Sequence, residues 1–335
     1  MNIEMKRKEI RRKYGRNRRR SRLPAAVILT VLAAGGIIWG AGRLVGGDGV
    51  RPIGAGTSLV MEYAKQEIDL SGLHSRAGII VRLSDGEVIA ETQRDERIYP
   101  ASLTKIMTCL LAIENIDDLE AEIRLPEEIF PELYAENASM AGFLPGEHVK
   151  IIDLLYGIIL PSGGECSTAA AGYASGSEEA FVELMNEKAQ ELGMKNTHFE
   201  NSTGLHDENH YSTVGDLALL LQYAVKNETF EEIFCSREHF VVPTDGHPEG
   251  LMMRNSMFKL RDDWTVENGE IRGGKTGFTD EAGLCLASEA MIGNEKYIAV
   301  TAGAEGNHST EPYHVLDAFY LYGQLDNRWK VRTDE

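Results

Sequence analysis

Apolar and polar positions along this chain change period from block to block. Residues 77–92, AGIIVRLSDGEVIAET, form two apolar-rich segments on either side of Asp85-Gly86, the pattern of a β-hairpin. From about 102 to 115, Ile106, Met107, Cys109, Leu110, Leu111 and Ile113 cover nearly every face of a helix, which should therefore be buried. An acidic, proline-broken stretch around 124–133 reads as loop and short helix. A Pro-Gly turn at 145–146 precedes a second apolar helix at about 151–160, and CSTAAAGYAS reads as a small-residue helix. Residues 178–192 set Phe181, Leu184, Met185, Ala189 and Leu192 on one face of an amphipathic helix, and 216–225 is another apolar helix. The period then returns to strands in GEIRGGKTGF, AGLCLASEAMI and KYIAVTAGA, with a turn at Gly293-Asn294, before a closing helix around 312–323. Strands at both ends and helices between them predict an α+β domain. It has one antiparallel sheet built from both ends, flanked by helices, with a helical lobe inserted.

The beginning of the chain follows another rule. Residues 23–42, LPAAVILTVLAAGGIIWGAG, are uncharged and long enough to cross a bilayer as one helix, with Trp39 suited to the interface. No A-x-A cleavage site follows, although a removed signal peptide is the alternative. Residues 1–22 hold eleven Lys or Arg and two Glu, a net +9, which leaves −27 on the remainder of a chain of net −18. By the positive-inside rule the basic tail is cytoplasmic and the acidic remainder extracytoplasmic. That acidity disfavours a nucleic-acid partner. The organisation expected is a tail at 1–22, a transmembrane anchor at 23–45, a stalk at 46–66, the main domain at 67–328 and a tail at 329–335. The four cysteines, at 109, 166, 235 and 285, have no metal-like spacing. Cys109 and Cys285 lie in apolar runs as small hydrophobes, and a disulfide among the four stays open.

Three short motifs carry candidate chemistry. Ser102 opens the buried helix and Lys105 follows three residues on, so the two side chains share a face. A buried lysine tends to lose its proton, and a neutral lysine can activate a serine hydroxyl. S-x-x-K alone is weak, since a chain this long holds about one by chance. The second match, SMFK at 256–259, opens no apolar helix and is taken as that chance match. K-T-G occurs once, at Lys275, Thr276 and Gly277, on a predicted strand. LPSGGE, residues 160–165, places Ser162 in a loop between two helices.

In this order the motifs match the signature of penicillin-binding proteins and class A β-lactamases. With YPASLTKIMT, NSTGLHDENHYSTVGDLALL and GGKTGFTDEAGLCLA around them, residues 67–325 resemble the serine-type D-alanyl-D-alanine carboxypeptidases. These are low-molecular-mass penicillin-binding proteins. The resemblance implies a membrane-anchored, single-pass bacterial enzyme that removes the terminal D-alanine from peptidoglycan stem peptides. β-Lactams would inhibit it covalently, and no cofactor or metal is implied. By the same resemblance Ser102 is the nucleophile, Lys105 its base and Ser162 a proton relay. Lys275 and Thr276 hold the substrate's terminal carboxylate, with Gly277 and Phe278 also at the substrate. The charge of Lys275 helps keep Lys105 neutral, and the N–H groups of Ser102 and Phe278 form the oxyanion hole. The family's second motif is usually Ser-x-Asn, whereas here it is Ser162-Gly163-Gly164. A β-lactamase, which would need a deacylation carboxylate near Ser102 and has Glu165 beside the second motif in sequence, and a weak or inactive penicillin-binding relative are the alternatives. Asn201, His206, His210 and Asp216 lack metal-site spacing and are assigned structural roles.

Overall fold

The structure, a computed structural model, describes residues 60–63, 67–325 and 329–332. The basic tail and the anchor expected at 23–45 lie outside the described residues. Among the described residues no helix is long and apolar enough to cross a membrane. Strand β1 (Val60–Tyr63) pairs antiparallel with β12 (Trp329–Arg332), so the stretches read as stalk and tail carry strands at their ends.

The hairpin of β2 (Ala77–Arg82) and β3 (Val88–Thr92) forms as its pattern requires, with Gly86 at φ 75° in the turn. Every residue of β2 is buried. Ile79 and Val81 enter one core while Ile80 enters a second on the opposite face. Burial on both faces explains why this segment reads as a continuous apolar run. After the helical lobe come β8 (Thr265–Val266), β9 (Gly269–Thr279), β10 (Gly283–Ile292) and β11 (Glu295–Ala304). The six-stranded sheet has the order β3-β2-β11-β10-β9-β8, antiparallel throughout. Its two halves come from opposite ends of the domain, as the pattern predicted.

In the lobe, a 3-10 turn (Ala101–Thr104) leads into α1 (Lys105–Asn115), which is buried from Lys105 to Ala112. Burying each of its large apolar side chains contributes about 1.5–3 kcal/mol. Beyond it are α2 (Phe130–Ala135), α3 (Ile151–Ile159), α4 (Gly164–Ser175), α5 (Glu178–Leu192), α6 (Val214–Ala224) and α7 (Glu228–Cys235). Helix α5 begins where the Ser177 hydroxyl accepts the Ala180 N–H at 3.2 Å, and it ends at Gly193 in the left-handed region. Helix α8 (Tyr313–Gly323) covers the second face of the sheet through Val315, Ala318, Leu321 and Tyr322.

Two small two-stranded sheets were not foreseen. One pairs β4 (Glu122–Arg124) with β5 (His148–Lys150) across the segment that holds α2, and the second is a hairpin of β6 (Glu238–Val241) and β7 (Leu251–Arg254). Three histidine–carboxylate pairs fasten the second hairpin to the lobe. His239 Nε2 lies 2.6 Å from Asp153 Oδ1, His247 Nδ1 2.9 Å from Glu147 Oε1, and His148 Nδ1 2.6 Å from Asp245 Oδ2. The His239 ring also stacks on Tyr156 at 3.8 Å. The four cysteines are free: three are buried and Cys235 is half-buried.

Candidate active site

Ser102 sits in the 3-10 turn, three residues before the start of α1, where its side chain lines a cleft of about 150 Å³. Lys105 Nζ lies 3.3 Å from Ser102 Oγ and donates to the Thr203 carbonyl at 2.5 Å. Lys105 is 3 % exposed. Burial lowers its ammonium pKa from 10.5 to about 8, against the opposing pull of Glu165, Cys166 and Glu178. A sizeable neutral fraction is therefore present near neutral pH.

Ser162 reaches the same cleft from the loop between α3 and α4. Lys275 Nζ donates to Ser162 Oγ at 2.9 Å and to the Thr276 carbonyl at 2.7 Å. Lys275 is fully buried, and its pKa is driven well below the usual lysine range by that burial and then by the Lys105 charge. The two serine–lysine pairs thus meet at one cleft. Lys275 itself is turned inward to Ser162, while Thr276, Gly277 and Phe278 line the cleft wall. A Cβ on Gly277 would lie 3.3 Å from the Ser102 nitrogen, so glycine lets β9 run directly alongside the nucleophile turn.

The backbone is strained where the chemistry is placed. Ala101 has φ 46° and Ser162 has φ 68°, both in the left-handed region that non-glycine residues rarely enter. Such conformations cost of order 1–3 kcal/mol each and persist only when their surroundings enforce them. The Ala101 carbonyl packs against Gly204 so closely that an added Cβ there would come within 1.9 Å of its oxygen. Asn201 Oδ1 accepts from Thr203 N (3.1 Å), Thr203 Oγ1 (3.0 Å) and Gly204 N (2.7 Å), folding the loop that presents the Thr203 carbonyl to Lys105.

The structural roles expected for the middle block are what the contacts supply. His210, lowered to about 4 by burial, stays neutral and bonds Thr104 Oγ1 at 2.8 Å. Asp216 accepts from Asn196 N and Thr197 Oγ1, and His206 packs edge-on against Tyr99. Asn201 does more than was expected of it, because it shapes the loop that holds Lys105.

Ser256 needs correction in another direction. Dismissed with the chance SMFK match, it lines the cleft and its hydroxyl lies 2.7 Å from Thr276 Oγ1. Its N–H bonds the Leu160 carbonyl at 2.8 Å, linking the segment after β7 to the loop of Ser162. Only the pairing of distant segments reveals this, so no local spacing could have found it.

Glu165, the carboxylate that a β-lactamase would require near the nucleophile, is fully buried and does not line the cleft. Its Oε1 accepts the Ala141 and Gly142 N–H groups at 2.7 and 2.9 Å, and burial raises its pKa. Gly164, which stands where the family usually has Asn, is closely packed. Its N–H bonds the Ser139 carbonyl at 2.7 Å, and a Cβ there would lie 3.1 Å from Leu133 Cδ2 and 3.3 Å from Ala138 Cβ. The segment before residue 140 fills the room a larger side chain would need. Gly164→Asn is therefore expected to lower stability by about 1–3 kcal/mol, as overpacking does. It should also bring no gain in penicillin labelling rate. A thermal melt and a labelling time course check this; a faster-labelling variant of unchanged melting temperature would contradict it.

A family model described as D-alanyl-D-alanine carboxypeptidase matches residues 62–306. D-alanyl-D-alanine carboxypeptidase DacF of Bacillus subtilis is 37% identical over 234 residues, covering 69% of this chain and 57% of that protein. DacC of Escherichia coli is 31% identical over 268 residues, covering 76% of this chain and 64% of that protein. The chain thus spans less than two thirds of the length of these relatives. Among solved structures, a serine-to-alanine variant of a Streptomyces DD-transpeptidase superposes with a TM-score of 0.69 at 25% identity, covering 75% of this chain and 97% of that one. With the motifs, the sheet and the match over residues 62–306 in agreement, the chain belongs to the D-alanyl-D-alanine carboxypeptidase family of peptidases.

Proposed function

We propose that this chain is a serine D-alanyl-D-alanine carboxypeptidase, removing the terminal D-alanine of peptidoglycan pentapeptide stems through an acyl-enzyme on Ser102. The observation that carries this is the pairing of Ser102 with a lysine of depressed pKa, at the cleft that also holds the Ser162–Lys275 pair. Neutral Lys105 takes the Ser102 proton as Oγ attacks the carbonyl carbon of the penultimate D-alanine. The backbone N–H groups of Ser102 and Phe278 receive the developing oxyanion. Ser162, hydrogen-bonded to Lys275, passes a proton to the leaving D-alanine nitrogen as the C–N bond breaks. Water then attacks the ester and releases the shortened peptide, with Ser102 regaining its proton. Thr276, held by Ser256, faces the substrate on β9.

β-Lactams enter the same cycle as substrate mimics and remain as slowly hydrolysed esters. The uncharged stretch 23–42 is the proposed single-pass anchor, with the catalytic domain on the outer face of the bacterial membrane. The test uses the full chain in detergent. A pentapeptide ending in D-Ala-D-Ala should yield free D-alanine, and a fluorescent penicillin should leave its adduct on the peptide that contains Ser102. Rapid penicillin hydrolysis without D-alanine release would favour a β-lactamase instead. Failure of both reactions would leave a non-catalytic relative.

A further inference from the structure

Lys105 is held by a loop, and the loop is itself held from its far side. Residues 201–204 run alongside α1, where two successive carbonyls meet two side chains of that helix. The Thr203 carbonyl accepts from Lys105 Nζ, and the Ser202 carbonyl accepts from Thr108 Oγ1 at 2.6 Å. Lys105 and Thr108 stand three residues apart and share a helical face. Ser202 and Thr108 are fully buried and Thr203 nearly so, so their polar groups must find partners inside the protein. Through Gly204 the same loop packs against the Ala101 carbonyl, one residue before Ser102.

The carbonyl of Ser202 belongs to α1, and both of its donors belong to α5. Glu178, the first residue of α5, accepts the Ser202 N–H at 2.9 Å and the Ser202 hydroxyl on the same oxygen, Oε1. Ser202 is thus gripped from two helices at once. The next residue, Glu179, serves a different end. It turns back to its own N–H and the Ser177 hydroxyl, which lower its pKa, and so supports the start of the helix. Glu178 does not line the cleft. The charged and titratable groups acting on Lys105 are Glu165 and Cys166 on α4, Glu178 on α5, Lys275 on β9 and His210. Of the three that oppose the effect of burial, Glu178 contributes least. Its charge is therefore secondary to its two hydrogen bonds.

We propose that Glu178 is a positioning residue for acylation: by pressing Ser202 against Thr108 it fixes the Thr203 carbonyl, which in turn holds Lys105 Nζ beside Ser102. This rests on the carboxypeptidase reading, in which Lys105 is the base, and adds a residue outside the cleft that aligns it. A general base acts only within hydrogen-bond reach of the proton it takes, so a loop free to drift costs rate without touching substrate.

The experiment uses the full chain in detergent, as wild type, Glu178→Ala and Glu178→Gln. Labelling by fluorescent penicillin is followed over concentration and pH, separating the maximal acylation rate from the binding that precedes it, with a thermal melt of each protein. In Glu178→Ala the maximal rate should fall about ten- to a hundredfold, part of what a positioned base supplies. Binding before acylation should hardly change. Glutamine keeps an oxygen able to accept both Ser202 donors, so Glu178→Gln should regain most of the rate. Its pH midpoint should move slightly down, because removing a negative charge disfavours the Lys105 ammonium. A residue that served stability alone would lower the melting temperature and leave the maximal rate of the folded protein unchanged. That result, or glutamine as slow as alanine, overturns the proposal while the carboxypeptidase survives. Should Glu178→Ala not fold, Ser202→Ala deletes one of the two donors. A rate reduced about fivefold then supports the proposal, and an unchanged rate overturns it. If wild type neither labels nor releases D-alanine, the reading of the site falls first.

Discussion

Ser102→Ala is expected to abolish D-alanine release and penicillin labelling together, with kcat falling about 10⁴- to 10⁶-fold, the range seen when an enzyme's nucleophile is removed. The substitution deletes one oxygen whose hydrogen-bond contact is with Lys105. It leaves the backbone of the strained turn unaltered, because the residue in the left-handed region is Ala101 and not Ser102. Melting temperature should therefore hardly move, and loss of activity can be read as loss of chemistry. A time course of labelling decides the matter: any covalent adduct on the alanine variant would mean a different nucleophile.

Lys105→Met should slow acylation by about 10²–10⁴-fold, the usual contribution of a positioned general base. Its stability should be preserved or improved, since a buried ammonium is replaced by a flexible apolar chain of similar length. Arginine should not rescue it, because a guanidinium stays protonated at any working pH. The companion expectation concerns pH. The base acts when neutral, and burial sets its pKa at about 8. Acylation should thus climb about tenfold per pH unit below that value and level off above it. Lys275 lies close enough for its own pKa to feel Lys105, so the midpoint belongs to the pair. A pH profile of labelling rate checks this; a profile flat from pH 6 to 9 would exclude Lys105 as the base.

How much of this was legible in the sequence depends on how local each signal is. The helix at 178–192 was found residue for residue because Phe181, Leu184, Met185, Ala189 and Leu192 recur at the helical period between Ser177 and Gly193, which cap it in the structure. The three long strands near the end were visible in their apolar runs and turns, and S-x-x-K was visible because positions three apart share a helical face. The β6–β7 hairpin was not visible. Its strands are half polar, and what fixes it is contact between residues far apart in the chain, such as Glu147 with His247. Ser256 and the Thr203 carbonyl escaped for the same reason, each brought beside Thr276 or Lys105 by a distant segment. The close packing around Gly164 was equally hidden, since the residues that fill its space come from the preceding segment. The anchor at 23–45 was argued from composition and lies outside the described residues.

The pairing of β2 with β11 sets the order in which the protein can come into being. Ala77 lies opposite Ala302 and Arg82 opposite Tyr297, so the central ladder joins the two ends of the domain. Ordering so long an intervening segment before any return is entropically costly, and contacts of this kind form late. The lobe from α1 to α7 is contiguous and helical, able to gather while the rest of the chain is still being made. Ser102 and Lys105 are therefore synthesised early but stay without Lys275 until the strands near the end of the domain arrive. A nascent chain interrupted before residue 295 has no β11 to seat β2, so it carries Ser102 and Lys105 but no finished cleft.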